Sequence, residues 1–237
     1  MRSFSMQDRY GILILNISHF FKLRPMERDP QQTEHTKKRY NTTSVVYNIM
    51  EWPIEHLWYK IWRKQLWEKV HGSNVLEIGV GTGKNIPYYP EDIELMGIDL
   101  SPGMLKQAHK LLPDHAKDRI TLREMDAQQM DFPDNTFEEV VATFVFCSVP
   151  DPIVGLQEAL RVTRPGGKLH LLEHMKAEES FLAKIMEKLD APIHYLSGVH
   201  IARQTVANVE KAGWEIDQVQ DLTAKGIFKK IKATKPH

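Results

Sequence analysis

Val75-Leu76-Glu77-Ile78-Gly79-Val80-Gly81-Thr82-Gly83-Lys84-Asn85 is the stretch that decides how the rest of this chain is read. An apolar run carrying one acid, followed by glycine at every second position, reads as a buried strand breaking into a tight turn that opens a helix. Glycines let the backbone come close to a ligand, and the free N–H groups at a helix start attract a negative group. Glu77 sits just ahead of the turn, where it would repel a pyrophosphate. A guest with a cation or hydroxyls beside Glu77 and a carboxylate elsewhere suits the turn better. The dinucleotide fingerprint Gly-x-Gly-x-x-Gly competes with this reading, but its third glycine falls where this chain has Lys84. The glycines are Gly79, Gly81 and Gly83, which argues against a nicotinamide oxidoreductase.

Downstream, Ile93 to Ile98 is strand-like and ends in Asp99-Leu100-Ser101-Pro102-Gly103-Met104-Leu105. An acid closing a second strand is placed to grip both hydroxyls of a ribose. Ser101 suits the N-cap and Pro102 the first position of the helix that follows. A sulfonium nucleoside, S-adenosylmethionine, offers the diol, the cation and the carboxylate that these two stretches ask for.

The segment from Val75 through Leu105 resembles the class I S-adenosylmethionine-dependent methyltransferases, in the broad group that contains the ubiquinone/menaquinone C-methyltransferases. Asp126-Ala127 resembles the adenine-contacting pair of that family, and Arg164-Pro165-Gly166-Gly167-Lys168-Leu169 its turn into the fifth strand. The resemblance covers residues 37 to 232. It implies an α/β, Rossmann-like, seven-stranded and mostly parallel sheet, with helices on both faces and an antiparallel last strand. The implied cofactor is S-adenosyl-L-methionine. The residues implied to hold it are Tyr40, Tyr47, Glu77, Gly79, Gly81, Gly83, Asn85, Asp99, Leu100, Ser101, Met104, Asp126, Ala127, Thr143 and Phe144, with the two tyrosines folding over the methionine end.

Four further segments narrow the likeness: Thr143 to Val149, Leu172-Glu173-His174, Gly198-Val199-His200 and Gly226-Ile227-Phe228. Together they resemble bacterial phospholipid N-methyltransferases and mammalian thiol S-methyltransferases, whose acceptors are lipophilic or membrane-proximal. The implied acceptor is a phospholipid amine first and a thiol next. Quinol C-methylation and a non-catalytic cofactor-binding regulator stay open. The chain departs from the mammalian group in lacking its long N-terminal membrane anchor. His174, following the fifth strand, is the first choice for a general base if the reaction uses one.

Composition sets the frame for these motifs. A chain of 237 residues, 42% hydrophobic, suits one domain with a small appendage. Thirty-one basic residues balance 31 acidic ones, so nothing in the charge favours nucleic acid. Cys147 is the only cysteine, which excludes a disulfide framework and a thiolate metal cluster and fits a cytoplasmic protein. The 11 histidines form no metal-binding spacing, so no metal is expected. Residues 1–30 read as an N-terminal extension. Within it Tyr10 to Leu23 is apolar but shorter than a membrane span and interrupted by Asn16, Ser18, His19 and Lys22. As an amphipathic helix, residues 10–23 either dock on the protein's own surface or contact a membrane peripherally. Residues 31–237 read as the methyltransferase domain, with a helical cap over 31–72 and an acceptor lid over 177–203 that carries Phe181, Met186, Leu189, Ile193, Tyr195 and Leu196.

Overall fold

The apolar run ahead of the glycine turn is the middle of a sheet. In this computed structural model, which describes residues 30–34, 36–38, 58–178 and 180–237, β1 (Asn74–Ile78) has a parallel strand on each side. One neighbour is β2 (Glu94–Asp99) and the other β4 (Phe137–Thr143), and Val75 and Leu76 between them have no exposed surface. With β3 (Ile120–Glu124), β5 (Thr163–His174), β6 (Glu215–Asp221) and β7 (Phe228–Thr234) the sheet order is β3-β2-β1-β4-β5-β7-β6. β7 runs antiparallel to both neighbours and the pairs from β3 to β5 are parallel. This is the expected Rossmann-like α/β sheet.

Strand alternation sends successive side chains to opposite faces, and both faces are covered, so the central strands are mainly apolar and bury Glu77 and Glu139 as exceptions. Leu76, Val140, Ala142 and Leu171 face a core that includes Leu156 and Ala159 of α3 (Pro152–Val162) and Val209 of α5 (Thr205–Lys211). Val75, Val141 and Leu172 face another, with Trp62, Leu66 and Trp67 of α1 (Lys60–Trp67) and Leu105 and Ala108 of α2 (Pro102–Leu111). The tryptophan-rich helix is thus core packing at Trp62 and Trp67, while Trp58 is exposed.

Local chemistry fixes the ends of these elements. Ser101 Oγ accepts the Met104 N–H at 3.2 Å with Pro102 following it, and Asp151 accepts from Ile153 and Val154 to start α3. α4 (Ser180–Ser197) is the body of the segment expected to form a lid. One boundary differs from expectation. β5 begins at Thr163, ahead of the Arg-Pro-Gly-Gly turn, because Thr163 pairs with Phe137 and both Gly166 and Gly167 bond the backbone of Lys235. Pairing with distant strands overrides the local turn signal.

Candidate active site

The glycine turn follows β1 at the carboxyl edge of the sheet, where parallel α/β folds bind ligands. Gly79 and Gly81 have φ of 73° and 57°, the left-handed region. A Cβ at Gly79 would lie 2.3 Å from Val145 Cγ2, so glycine brings the β1 turn against the loop after β4. A Cβ at Gly81 would meet nothing within 4 Å. That open space belongs to a cavity of about 970 Å³, counting its open mouth.

Nine of the expected cofactor residues line this cavity: Gly79, Gly81, Asp99, Leu100, Met104, Asp126, Ala127, Thr143 and Phe144. Asp99 ends β2 with one oxygen accepting the Gly81 N–H and the other the Ser101 N–H, both at 2.8 Å. Each carboxylate oxygen has a second lone-pair site, so Asp99 keeps one acceptor per oxygen for a vicinal diol. Burial pushes its pKa up to about 6 against the lowering effect of those two N–H groups. Asp126 Oδ1 accepts the Gln128 N–H at 2.9 Å, and Ala127 lies beside it on the wall. Met104, Met125, Ile98 and Leu100 add an apolar surface between the two acids, suited to a flat base.

Glu77, Gly83, Asn85 and Ser101 stand behind the wall. Glu77 is fully buried and turned into the protein, where it accepts from Asn85 Nδ2 at 2.5 Å and from the Tyr89 hydroxyl. Burial raises its pKa to about 7, offset in part by these bonds. The acid ahead of the turn therefore shapes the site through Asn85. Gly83 packs on Ala108 of α2, which a Cβ would approach to 3.0 Å at Cα. Ser101 caps α2. His174, at the end of β5, is not on the cavity wall either. Its ring meets Phe228 edge-on at 5.1 Å, and burial lowers its pKa. Tyr40, Tyr47 and the 10–23 segment lie outside the described residues. The cap is visible at Thr36, which lines the cavity, and at Thr33, which is buried and donates to Asp126 at 3.4 Å.

The structure adds Arg63, which the motif reading did not single out. α1 carries its guanidinium into the interior, where Nη1 donates to Asn85 Oδ1 at 2.9 Å and to Thr143 Oγ1 at 2.7 Å. It also sits 5.2 Å from the centroid of the Phe144 ring, within cation–π range. Phe144 has φ of 59°, a genuine outlier for a bulky side chain. Its ring lies 4.6 Å from that of Tyr59, tilted by 35°, and Trp62 and Phe228 extend a buried aromatic cluster behind it. Among the described residues Arg63 and Lys84 are the cations that line the cavity, of the sign that suits the carboxylate of a methionine moiety. The sequence held one signal for Arg63: a basic residue next to Trp62 and Leu66 on the apolar face of its helix.

Beyond Phe144 the loop is held from β5. Glu173, fully buried, accepts the N–H groups of Val145 at 2.9 Å and Phe146 at 3.0 Å through Oε1, while Oε2 is buried without a hydrogen-bond partner. Burial raises its pKa to about 7. The donor set as a whole fits S-adenosylmethionine: acceptors for a diol at Asp99, an apolar slot for a purine, bare backbone at Gly81 and cations at the far end.

Residues 76–171 match a family model described as a methyltransferase domain. The chain is 39% identical over 119 residues to the phosphatidylethanolamine N-methyltransferase of Cereibacter sphaeroides, an alignment spanning 50% of this chain and 59% of that protein. It is 29% identical over 182 residues to a thiol S-methyltransferase of Rattus norvegicus, spanning 75% of this chain and 74% of the relative. In fold it matches Phospholethanolamine N-methyltransferase 2 of Haemonchus contortus, solved with phosphomonomethylethanolamine and S-adenosylhomocysteine. There the TM-score is 0.67 and the identity 17%, over 86% of this chain and 61% of that one. Residues 76–171 of the chain thus form a methyltransferase domain, on a Rossmann-like sheet whose cavity fits S-adenosylmethionine.

Proposed function

We propose that this chain moves a methyl group from S-adenosylmethionine to a small lipophilic acceptor, with a phospholipid amine headgroup in first place. The observation that carries the proposal is the Phe144 ring on the cavity wall, backed by the buried aromatic cluster of Tyr59, Trp62 and Phe228. An acceptor that reaches the donor along Phe144 leaves water behind and meets an apolar surface. The relatives named for phosphatidylethanolamine and for thiols support the same range of acceptors, with the higher identity on the phospholipid side.

When bound, S-adenosylmethionine supplies a sulfonium methyl carbon already activated toward a nucleophile. The chain has then to orient the two partners. Asp99 holds the sugar end, Arg63 and Lys84 the carboxylate end, and Phe144, fixed by Tyr59 and Arg63, closes the side from which the acceptor comes. Alignment of this kind can lower a barrier by roughly 7 to 11 kcal/mol. Among the described residues the carboxylates on the cavity wall are Asp99 and Asp126, both at the nucleoside end, and there is no imidazole. An acceptor that arrives with its lone pair free needs no base from the chain, and its turnover rises with pH through the acceptor's own pKa.

The test is incubation of the purified chain with methyl-labelled S-adenosylmethionine and, in parallel, phosphatidylethanolamine vesicles, an alkyl thiol and a quinol. Label in the phospholipid headgroup is the expected result. Label in the quinol ring alone, or intact cofactor binding with no S-adenosylhomocysteine released on any acceptor, overturns the proposal.

A further inference from the structure

We infer that the outward face of α4 is a docking surface for an anionic phospholipid bilayer, seating the cavity mouth at the membrane. The proposal goes beyond the acceptor assignment and stands or falls separately from it. α4 packs on the domain through Ala183 and Met186, both buried. Phe181, Ile185, Leu189 and Pro192 follow at intervals of four, four and three, which on a helix is one stripe. That stripe faces solvent: Phe181 is 69% exposed, Leu189 47% and Ile185 38%. A helix whose inner face is already satisfied gains nothing in water from a second apolar face, and contiguous exposed apolar surface marks an interaction site.

Charge selects the partner. Lys184 and Lys188, both exposed, flank the stripe along one side. The acids of α4 nearest to them in sequence are directed elsewhere: Glu187 pairs with Lys176 at 2.7 Å, and Asp190 with His200 at 2.7 Å. Large apolar side chains bordered by lysines are the pattern of a helix lying in the plane of an anionic interface, its apolar face sunk about 5–10 Å. Crossing is not the mode, since among the described residues no helix is long and apolar enough to span a membrane. The stripe from Phe181 to Pro192 is about 16 Å long at 1.5 Å per residue, enough to lie along the headgroup layer.

Placement links this surface to the site. α4 leaves the carboxyl edge of the sheet directly after β5 and returns through a segment bonded to the loop that lines the cavity. The His200 N–H donates to the Cys147 carbonyl at 2.9 Å, and Arg203 Nη2 donates to the Val149 carbonyl at 3.0 Å. Trp58, 57% exposed just ahead of α1, neighbours Trp62 at 6.2 Å, and Trp62 packs on Phe228, the residue that pairs with His174 at the same end of β5. A bilayer under α4 would thus lie on the side of the sheet edge where the aromatic cluster behind Phe144 is found.

The experiment is co-sedimentation of the full-length chain with phosphatidylcholine vesicles, with and without phosphatidylglycerol, for the parent, the double variant Phe181→Asp with Leu189→Asp, and the double variant Lys184→Glu with Lys188→Glu. S-adenosylhomocysteine affinity by calorimetry confirms that each variant is folded around its cofactor site. Binding of the parent to phosphatidylglycerol vesicles is expected to fall about tenfold or more in the aspartate variant, and the lysine variant loses the preference for phosphatidylglycerol. A parent that stays in the supernatant overturns the proposal. So does an aspartate variant that sediments like the parent, which would move the contact to another segment such as residues 10–23. A parent dimer that dissociates in the aspartate variant without any vesicle effect assigns the stripe to a second copy and also overturns it. Headgroup labelling that fails while vesicle binding still depends on Phe181 and Leu189 removes the acceptor assignment alone.

Discussion

Changing Glu173 to Gln tests the account of how the loop after β4 is held. In the fold this carboxyl is pushed up to about 7 from the 4.5 of an ordinary glutamate, because burial penalises its charge more than the N–H groups of Phe146, Val145 and Cys147 offset it. The folded chain therefore keeps a proton there at pH values where the unfolded chain has lost it. Stability that is full below pH 4.5 is lost as pH climbs through about 7. At 1.36 kcal/mol per unit the loss is about 3 kcal/mol. The amide side chain introduced by Glu173→Gln would keep an oxygen for the Val145 and Phe146 N–H groups and never ionise. The melting temperature of the variant relative to the parent should thus be higher near pH 8 than near pH 4.5, by about 6–12 °C for a chain of this size. Glu77 and Asp99 also have raised values, to about 7 and about 6, but titrate alike in both proteins and drop out of the comparison. Thermal melts followed by circular dichroism at the two pH values make the measurement. A difference between variant and parent that is the same at both refutes the reasoning, since the buried charge would then cost nothing.

Three other outcomes follow from the geometry. Asp99→Ala removes acceptors for both ribose hydroxyls, each a charged hydrogen bond of about 1.5–3 kcal/mol, so calorimetry should show S-adenosylhomocysteine binding at least about a hundredfold weaker; a loss under tenfold contradicts the diol assignment. Gly79→Ala places a methyl 2.3 Å from Val145 Cγ2 at a positive φ and should cost at least about 2 kcal/mol in denaturant melts. Gly81→Ala meets open space, so it should cost only about 1–2 kcal/mol of backbone strain while weakening cofactor binding. If the two variants lose equal stability, the cavity is not where it has been placed. His174→Gln should lower kcat less than tenfold, because the ring stands off the cavity wall against Phe228; a drop of about a hundredfold or more, the scale of a lost general base, would restore it as one.

What the sequence made legible is chemistry that acts over a few residues. The Gly79-x-Gly81 turn, the Ser101-Pro102 start of α2 and the acids ending β2 and following β3 each announce themselves in a local pattern, and the structure brings Asp99 and Asp126 to one cavity. Contacts across long separations were not legible. Arg63 reaches Thr143, the end of β4, across 80 positions, and only the packing of α1 on the sheet brings them together. Glu77 was expected beside a cation of the ligand; the fold satisfies it internally through Asn85 and Tyr89, which a strand pattern does not reveal. The apolar residues of α4 suit an acceptor lid by composition, but apolarity alone does not tell an inward face from an outward one. Phe181, Leu189 and Tyr195 turn to solvent.

Cys147 gives the protein a native reporter. It is the chain's only thiol, 3% exposed, in the loop after β4 and directly under the backbone bond from His200. An alkylating reagent can reach it only during excursions that lift the returning segment of α4, so the labelling rate counts those openings. Slower labelling with cofactor bound would show that filling the pocket stiffens the loop after β4.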